Sequence, residues 1–351
     1  MNLLDRREML RAVRRLRCPF ASKALILLYH RVAELSSDPQ LLAVTPARFE
    51  EHLKILREHY TVISLEQLTR FLREGKIPHR SVVLTFDDGY ADALYNAKPL
   101  LERYDVPATV YVATGFVGAD REFYWDELEG LLLRPGNLPE HLSLNAAGTI
   151  FQWRLGQSAQ YSEADYERWR GWNVAMDNDP TPRQNIYRTL CARLLQMSEE
   201  DRENVLNAVR TWAGATPSCR PIHRPLSAEE IVRLSEGGLV EVGAHTMSHA
   251  VLSAIPTAAQ ETEIRESKTR LEAMLGRPLF SFSYPFGKRT DYTEETVAIV
   301  RQAGFRCACS NFPGNVCRGA DLFQLPRVIA PHCGGKEFRG WLRRWFLGFR
   351  R

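Results

Sequence analysis

Short apolar runs recur along the chain, separated by stretches in which apolar residues return every three or four positions. The runs Ala24–Tyr29, Tyr60–Leu65, Ser81–Phe86, Ala108–Ala113, Leu239–Gly243, Phe280–Tyr284, Phe305–Cys309 and Phe323–Ile329 are rich in Val, Ile, Leu, Tyr and Phe and have the length of buried strands. The helical stretches carry clear punctuation. Thr45-Pro46 reads as a cap followed by proline in the first turn, with Phe49, Leu53 and Leu56 on one face. Ser227-Ala228-Glu229-Glu230 has capping-box spacing. Thr257 to Leu275 and Thr293 to Ala303 are amphipathic and end at Gly276 and Gly304. Strands alternating with helices predict a parallel α/β fold, and eight strands favour closure into a barrel.

The alternation fails between about residues 123 and 225. That stretch is polar with helical patches, such as Arg183–Met197, and holds Trp125, Trp153, Trp169, Trp172 and Trp212. It reads as a large, mostly helical insertion on the face where α/β proteins keep their sites. Its tryptophans either line a sugar groove or form a small core of their own.

Composition narrows the classes. The 351 residues are 44% hydrophobic and 25% charged, which excludes a wholly disordered or collagenous chain. No run approaches eighteen apolar residues, so no transmembrane helix is predicted. The net charge of +4 is too small to argue for nucleic acid, but it is unevenly placed. Six arginines within residues 1–20 and five arginines with Lys336 within residues 336–351 leave a body of net charge about −5. The expected organisation is a basic segment over 1–21, a catalytic domain over 22–335 and a basic aromatic tail over 336–351. Such termini can lie on anionic lipid, or the tail aromatics can pack on the barrel. No secretory apolar stretch follows the first arginines, so the expected location is cytoplasmic, with peripheral contact at the inner membrane face as an option. The seven cysteines lack disulfide-framework spacing. Cys307, Cys309, Cys317 and Cys333 are a weak candidate zinc group beside ordinary thiols.

Two places carry chemistry. The run Val82–Phe86 ends in Asp87-Asp88-Gly89, where two adjacent carboxylates need a cation or a raised pKa. The run Val240–Ala244 ends in His245-Thr246-Met247-Ser248-His249, whose imidazoles four residues apart can reach one metal. One Asp and two His leave coordination positions open for water and substrate. The second Asp is then free to take a proton.

With these motifs the sequence resembles the polysaccharide deacetylase family, the group of chitooligosaccharide, peptidoglycan and poly-N-acetylglucosamine deacetylases. Thr85–Gly89 is similar to its T-F-D-D-G motif and His245–His249 to its H-[ST]-x-x-H motif. Tyr29-His30-Arg31, Ser283-Tyr284-Pro285-Phe286-Gly287 and Leu325-Pro326-Arg327 resemble further family segments. The resemblance implies a distorted (β/α)7-type barrel, a NodB-like deformed TIM barrel. It also implies roles: Asp87 as catalytic base; Asp88, His245 and His249 as ligands of a divalent metal, zinc foremost; and the Phe286 backbone N–H as oxyanion donor. Tyr284 and Pro285 would contact substrate. Thr246 and Ser248 would brace the histidine loop. Where many members carry Arg at the start of the third motif, this chain has Ser283. Arg327 is expected to supply that missing cation beside Asp87. The general acid is unassigned, with His30 and His332 as candidates beside protonated Asp87 itself.

The expected activity is metal-dependent removal of an N-acyl group, acetyl foremost, from an amino sugar in a polysaccharide, oligosaccharide or glycolipid. The partner is then an N-acylated glycan or a lipid-linked sugar. Hydrolysis of a different amide and carbohydrate binding by a decayed site are the alternatives. The oligomeric state is not legible.

Overall fold

A computed structural model describes residues 23–146 and 148–347. All eight expected strands pair in one parallel sheet: β1 (Ala24–Tyr29), β2 (Thr61–Val62), β3 (Ser81–Phe86), β4 (Ala108–Val112), β5 (Val240–Ala244), β6 (Ser281–Ser283), β7 (Cys307–Cys309) and β8 (Val328–Ile329). The order is β7-β6-β5-β4-β3-β1-β8, so seven positions run around the sheet. The short β2 pairs with Ser81 and Val82, below the point where β4 joins β3 at Leu84. Residues 322–329 link the two edges. Leu325 bridges Cys309 in parallel, and three residues on Val328 pairs with Leu27 of β1. The curled sheet thereby becomes the distorted barrel that the motif resemblance implied.

Side chains alternate across such a strand. On β3, Val82, Leu84 and Phe86 pack outward against the helices with Phe49, Leu53 and Leu101. Val83 packs on the other face with Ile26, Tyr111, Cys309 and Leu325. The same alternation turns Thr85 and then Asp87 inward. Inside the closing segment, Leu325 and Arg327 share that inward parity, while Val328 joins the outer core.

The helices begin and end where their punctuation indicated. Thr45 caps Pro46–His59, Ser227 forms a capping box on Ala228–Ser235, and Gly276 ends Thr257–Leu275 in the left-handed conformation. The insertion leaves after β4 and returns at Pro225, which bridges Tyr90. It contains helices Tyr124–Leu132, Glu163–Trp169, Pro182–Leu194 and Glu199–Ala213, and also a hairpin of His141–Ala146 with Thr149–Arg154. Its own core gathers Phe123, Leu128, Leu142, Tyr187 and Val209. Trp172 is buried in it, and Trp153 and Trp212 pack at its edge. The small-core expectation therefore accounts for most of these tryptophans. The cysteine cluster does not assemble: among the described residues, the group able to hold a metal is Asp88, His245 and His249. Cys307 and Cys309 are instead buried on β7.

The segment expected as a tail forms helix Gly335–Leu347. Phe338 and Leu342 are buried against the barrel, while Arg339, Arg343 and Arg344 face solvent. The basic segment at 1–21 and the last four residues lie outside the described residues. No described helix is long and apolar enough to cross a membrane.

His52 is the pin of this C-terminal docking. Its ring stacks on Phe338 with centroids 3.7 Å apart. The Cys333 carbonyl can only accept, so Nε2–H donates to it at 2.9 Å and Nδ1 accepts from the Tyr29 hydroxyl at 3.1 Å. The imidazole is thus held neutral, and burial pushes its pKa down to about 4. Above pH 6.5 both folded and unfolded chains hold this histidine neutral, and its full stabilisation is present. As pH falls from 6.5 towards 4 the unfolded chain takes the proton first, and roughly 3 kcal/mol is lost. Urea unfolding across that window is expected to show a smaller loss for His52→Gln than for the parent chain; parallel losses would remove His52 from the account.

Candidate active site

The site lies at the carboxyl ends of the strands, where parallel barrels expose loop backbone and side chains together. Asp87 and Asp88 follow β3, His245 follows β5, Ser283 ends β6, and Arg327 precedes β8. Gly89 makes the turn after the carboxylates possible. Its φ is +84°, and an added Cβ would lie 3.1 Å from Val112.

Asp87 and Arg327 form a two-pronged buried pair. The guanidinium donates to Oδ1 at 2.7 Å and to Oδ2 at 2.6 Å. Its other hydrogens go to the Ser310 carbonyl, Thr85 Oγ1 and Ser283 Oγ. Ser283 also donates to Asp87 Oδ2 at 3.3 Å. The small side chain at 283 thus leaves room for an arginine arriving from another strand. Burial alone would raise the Asp87 pKa, but the charges of Arg327 and His245 and the Arg327 hydrogen bonds hold it well below the ordinary range.

Asp88 has the opposite balance. Burial pushes it up to about 6, and the Asp87 carboxylate adds to the rise. Asp88 Oδ1 lies 3.6 Å from His245 Nε2 and 3.2 Å from His249 Nε2. Burial drives the two imidazoles down to about 4 and about 3, so both present lone pairs rather than charge. His245 Nδ1–H donates to the Ser283 carbonyl at 2.8 Å, which points Nε2 at Asp88. Donors about 2.0–2.2 Å from one tetrahedral ion would be separated by about 3.3–3.6 Å. The donor set therefore fits a divalent ion in both chemistry and spacing.

The backbone is strained at this place. Seven described non-glycine residues have positive φ, and Asp88, Thr246, His249 and Phe286 are four of them. The histidine loop is held down from outside. Glu263, on helix Thr257–Leu275, accepts from Met247 N–H, Ser248 N–H and Ser248 Oγ, and Arg202 donates to the Ser248 carbonyl. Thr246 Oγ1 accepts from His249 N–H. Thr246 and Ser248 brace the loop as expected, but Glu263 and Arg202 were not foreseen. Both sit in ordinary helical pattern, where nothing marks a charge as pointing at a loop.

A cavity of about 390 Å³ opens above this floor, lined by Asp87, Asp88, His245, His249 and His30 together with residues of the insertion. Trp125 forms part of the wall, edge-on to His249 at 5.3 Å between centroids. Its indole donates to Tyr90, whose hydroxyl donates to buried Asp126. Phe286 lines the cavity too, and its N–H makes no hydrogen bond within the described residues. Two expectations are corrected. Tyr284 is buried in the barrel core, stacked on Tyr292 with its hydroxyl on the Phe323 carbonyl, and Pro285 is buried beside it. Alternation along β6 turns Tyr284 away from the cavity. His332 is exposed and outside the cavity lining.

A sequence profile described as polysaccharide deacetylase matches residues 74–137 and 190–308. The Staphylococcus aureus poly-beta-1,6-N-acetyl-D-glucosamine N-deacetylase is 33% identical over 112 residues, 28% of this chain and 39% of that enzyme. The Bacillus subtilis protein YxkH is 19% identical over 324 residues, covering 92% of this chain and 76% of that protein. Among solved structures, the Streptococcus pyogenes deacetylase PplD in complex with acetate superposes with a TM-score of 0.55 at 19% identity, over 90% of this chain and 96% of that one. IcaB from Ammonifex degensii gives 0.56 at 17% identity, over 92% and 97%. The profile covers more than half of the chain, including the strands that deliver Asp87, Asp88, His245 and His249, so this chain belongs to the polysaccharide deacetylase family.

Proposed function

We propose that this chain hydrolyses the N-acyl bond, acetyl foremost, of an amino sugar in a glycan or glycolipid, using a divalent ion, zinc foremost, held by Asp88, His245 and His249. The observation that carries the reading is the ionised, arginine-clamped Asp87 directly beside that cation-seeking trio, on the floor of an open cavity. A complete set of buried, mutually oriented groups weighs against a decayed binding site. The identity over 112 residues to an N-acetylglucosamine deacetylase supports the sugar amide over other amides.

Bound there, a divalent ion supplies Lewis acidity towards the acyl carbonyl and acidifies water. Asp87, whose carboxylate comes within 3.8 Å of His245 Nε2, accepts the water's proton. Arg327 fixes which way that carboxylate points. The Phe286 N–H, aimed by its φ of +58°, donates to the oxyanion as the carbonyl becomes tetrahedral. Asp87 then carries the proton needed by the departing amine, and His30, which shares the cavity, is the candidate to assist.

Acetate release from N-acetylglucosamine oligomers is expected to vanish on chelation and return with zinc. Asp87→Asn should lower kcat by about 10²–10⁴-fold while one ion per chain remains bound, whereas His245→Ala should lose the ion. Retained turnover in Asp87→Asn would remove it as base. Arg327→Ala should cut kcat by at least about a hundredfold with KM little changed. Arg327→Lys should recover only part of the loss, because a lysine cannot donate in parallel to both oxygens. Full activity in Arg327→Ala would show that Asp87 needs no clamp.

A further inference from the structure

The cavity above Asp87 has two chemically different sides. The barrel side contributes His30, Lys288 and Asn311 beside Phe286 and Ile329. The facing wall comes from the insertion and residues 40–42, and its surface is Leu42, Val174, Cys191, Ala192 and Leu195. Most of the polar side chains on that wall hydrogen-bond within the protein, Tyr124 being the one whose hydroxyl is left over among the described residues. Arg188 donates to Asp179 Oδ1 at 2.8 Å and to the carbonyls of Val174 and Met176 at 2.6 and 2.7 Å. Gln40 gives its amide N–H to the Tyr187 hydroxyl at 2.9 Å, and the Trp125 indole N–H is spent on Tyr90. A pyranose seated there would find fewer partners for its hydroxyls than it has in water, a poor exchange. Exposed apolar residues lie in the lining or within two positions of it. Ile329, which lines the cavity, is 53% exposed; Leu41, between two lining residues, is 54% exposed; and Met176, two residues from Val174, is 46% exposed. Val174 and Arg188 lie in residues 138–189, the stretch that the family profile skips.

We propose that this wall is a subsite for an alkyl chain carried by the amino-sugar substrate. The sugar then lies on the Lys288–Asn311 side and the chain runs along the insertion. The inference rests on the hydrolase reading, because it is the acyl carbonyl over Asp87 and Asp88 that brings the chain against this wall. The alkyl group has two possible sources, an N-acyl chain longer than acetyl or a lipid on the glycosidic oxygen. Each methylene moved from water onto such a wall favours binding about fourfold, so four or five methylenes should be plainly visible.

The test uses the full chain with zinc and reads quenching of tryptophan fluorescence before the first turnover. One arm compares hexyl with methyl glucosaminide; the other compares N-hexanoylglucosamine with N-acetylglucosamine. At least tenfold tighter binding of the longer ligand is expected in one arm, and that arm identifies the source. Ala192→Asp should abolish the preference. Ala192 is exposed on helix Pro182–Leu194, so the change leaves the core intact. Less than threefold preference in both arms, or a preference that survives Ala192→Asp, overturns the proposal. Failure to hydrolyse either N-acyl sugar would instead remove the deacetylase reading, with the binding ratios still deciding the subsite.

Discussion

Asp87 is a carboxylate set inside a parallel barrel, and its charge is sustainable there because Arg327 meets both of its oxygens. Much of the architecture follows from that pair. Arg327 must arrive from the opposite edge of the sheet, so the segment that carries it also links that edge to β1. Ser283 must stay small, because the guanidinium passes beside it. Thr85, one strand position from each motif neighbour, spends its hydroxyl on the Leu27 carbonyl and on Arg327. Burying an ion pair in this way gains little stability over an apolar filling. Its presence is therefore better explained by what an oriented, ionised Asp87 can do.

The neighbouring residues show the complementary condition. Asp88 is buried without an arginine, and the two imidazoles facing it are neutral. Such a trio has no positive charge of its own to balance Asp88, a condition that a bound cation would relieve. Four residues around it hold positive φ angles against their intrinsic preference, and Glu263 and Arg202 pin the loop that contains two of them. The local cost is carried by packing elsewhere, which is how a strained loop can remain a fixed one.

Most of the barrel was legible because parallel strands are buried on both faces and read as unbroken apolar runs. Ala24–Tyr29 and Ser81–Phe86 are delimited to the residue. The polar ends of those runs located Asp87, Asp88 and His245, and the pairing of Arg327 with Asp87 followed from the serine at 283. What escaped was whatever depends on contact between distant helices. Glu263 looks like any surface glutamate of an amphipathic helix until the helix is placed beside the histidine loop. Tyr284 lies in a site motif, yet strand parity sends its ring into the core. The insertion's hairpin, His141–Ala146 with Thr149–Arg154, is half exposed and lacks the apolar run that marks a barrel strand. The aromatic arginine-rich end read as a barrel helix or a lipid-contacting segment, and no local pattern encodes the stacking of Phe338 on His52 that docks it.

The clamp also has a temporal side. Asp87 and Arg327 are 240 residues apart in the chain. At a synthesis rate of about 5–20 residues per second, some tens of seconds separate their emergence. Through that interval β1, β3 and β4 can pair, but the adjacent carboxylates have no arginine to neutralise them and the sheet has no strand to complete its circumference. The pair with Arg327 can form only once that last segment has been made. The residue that orients Asp87 and the segment that closes the barrel are thus made together, late in the chain.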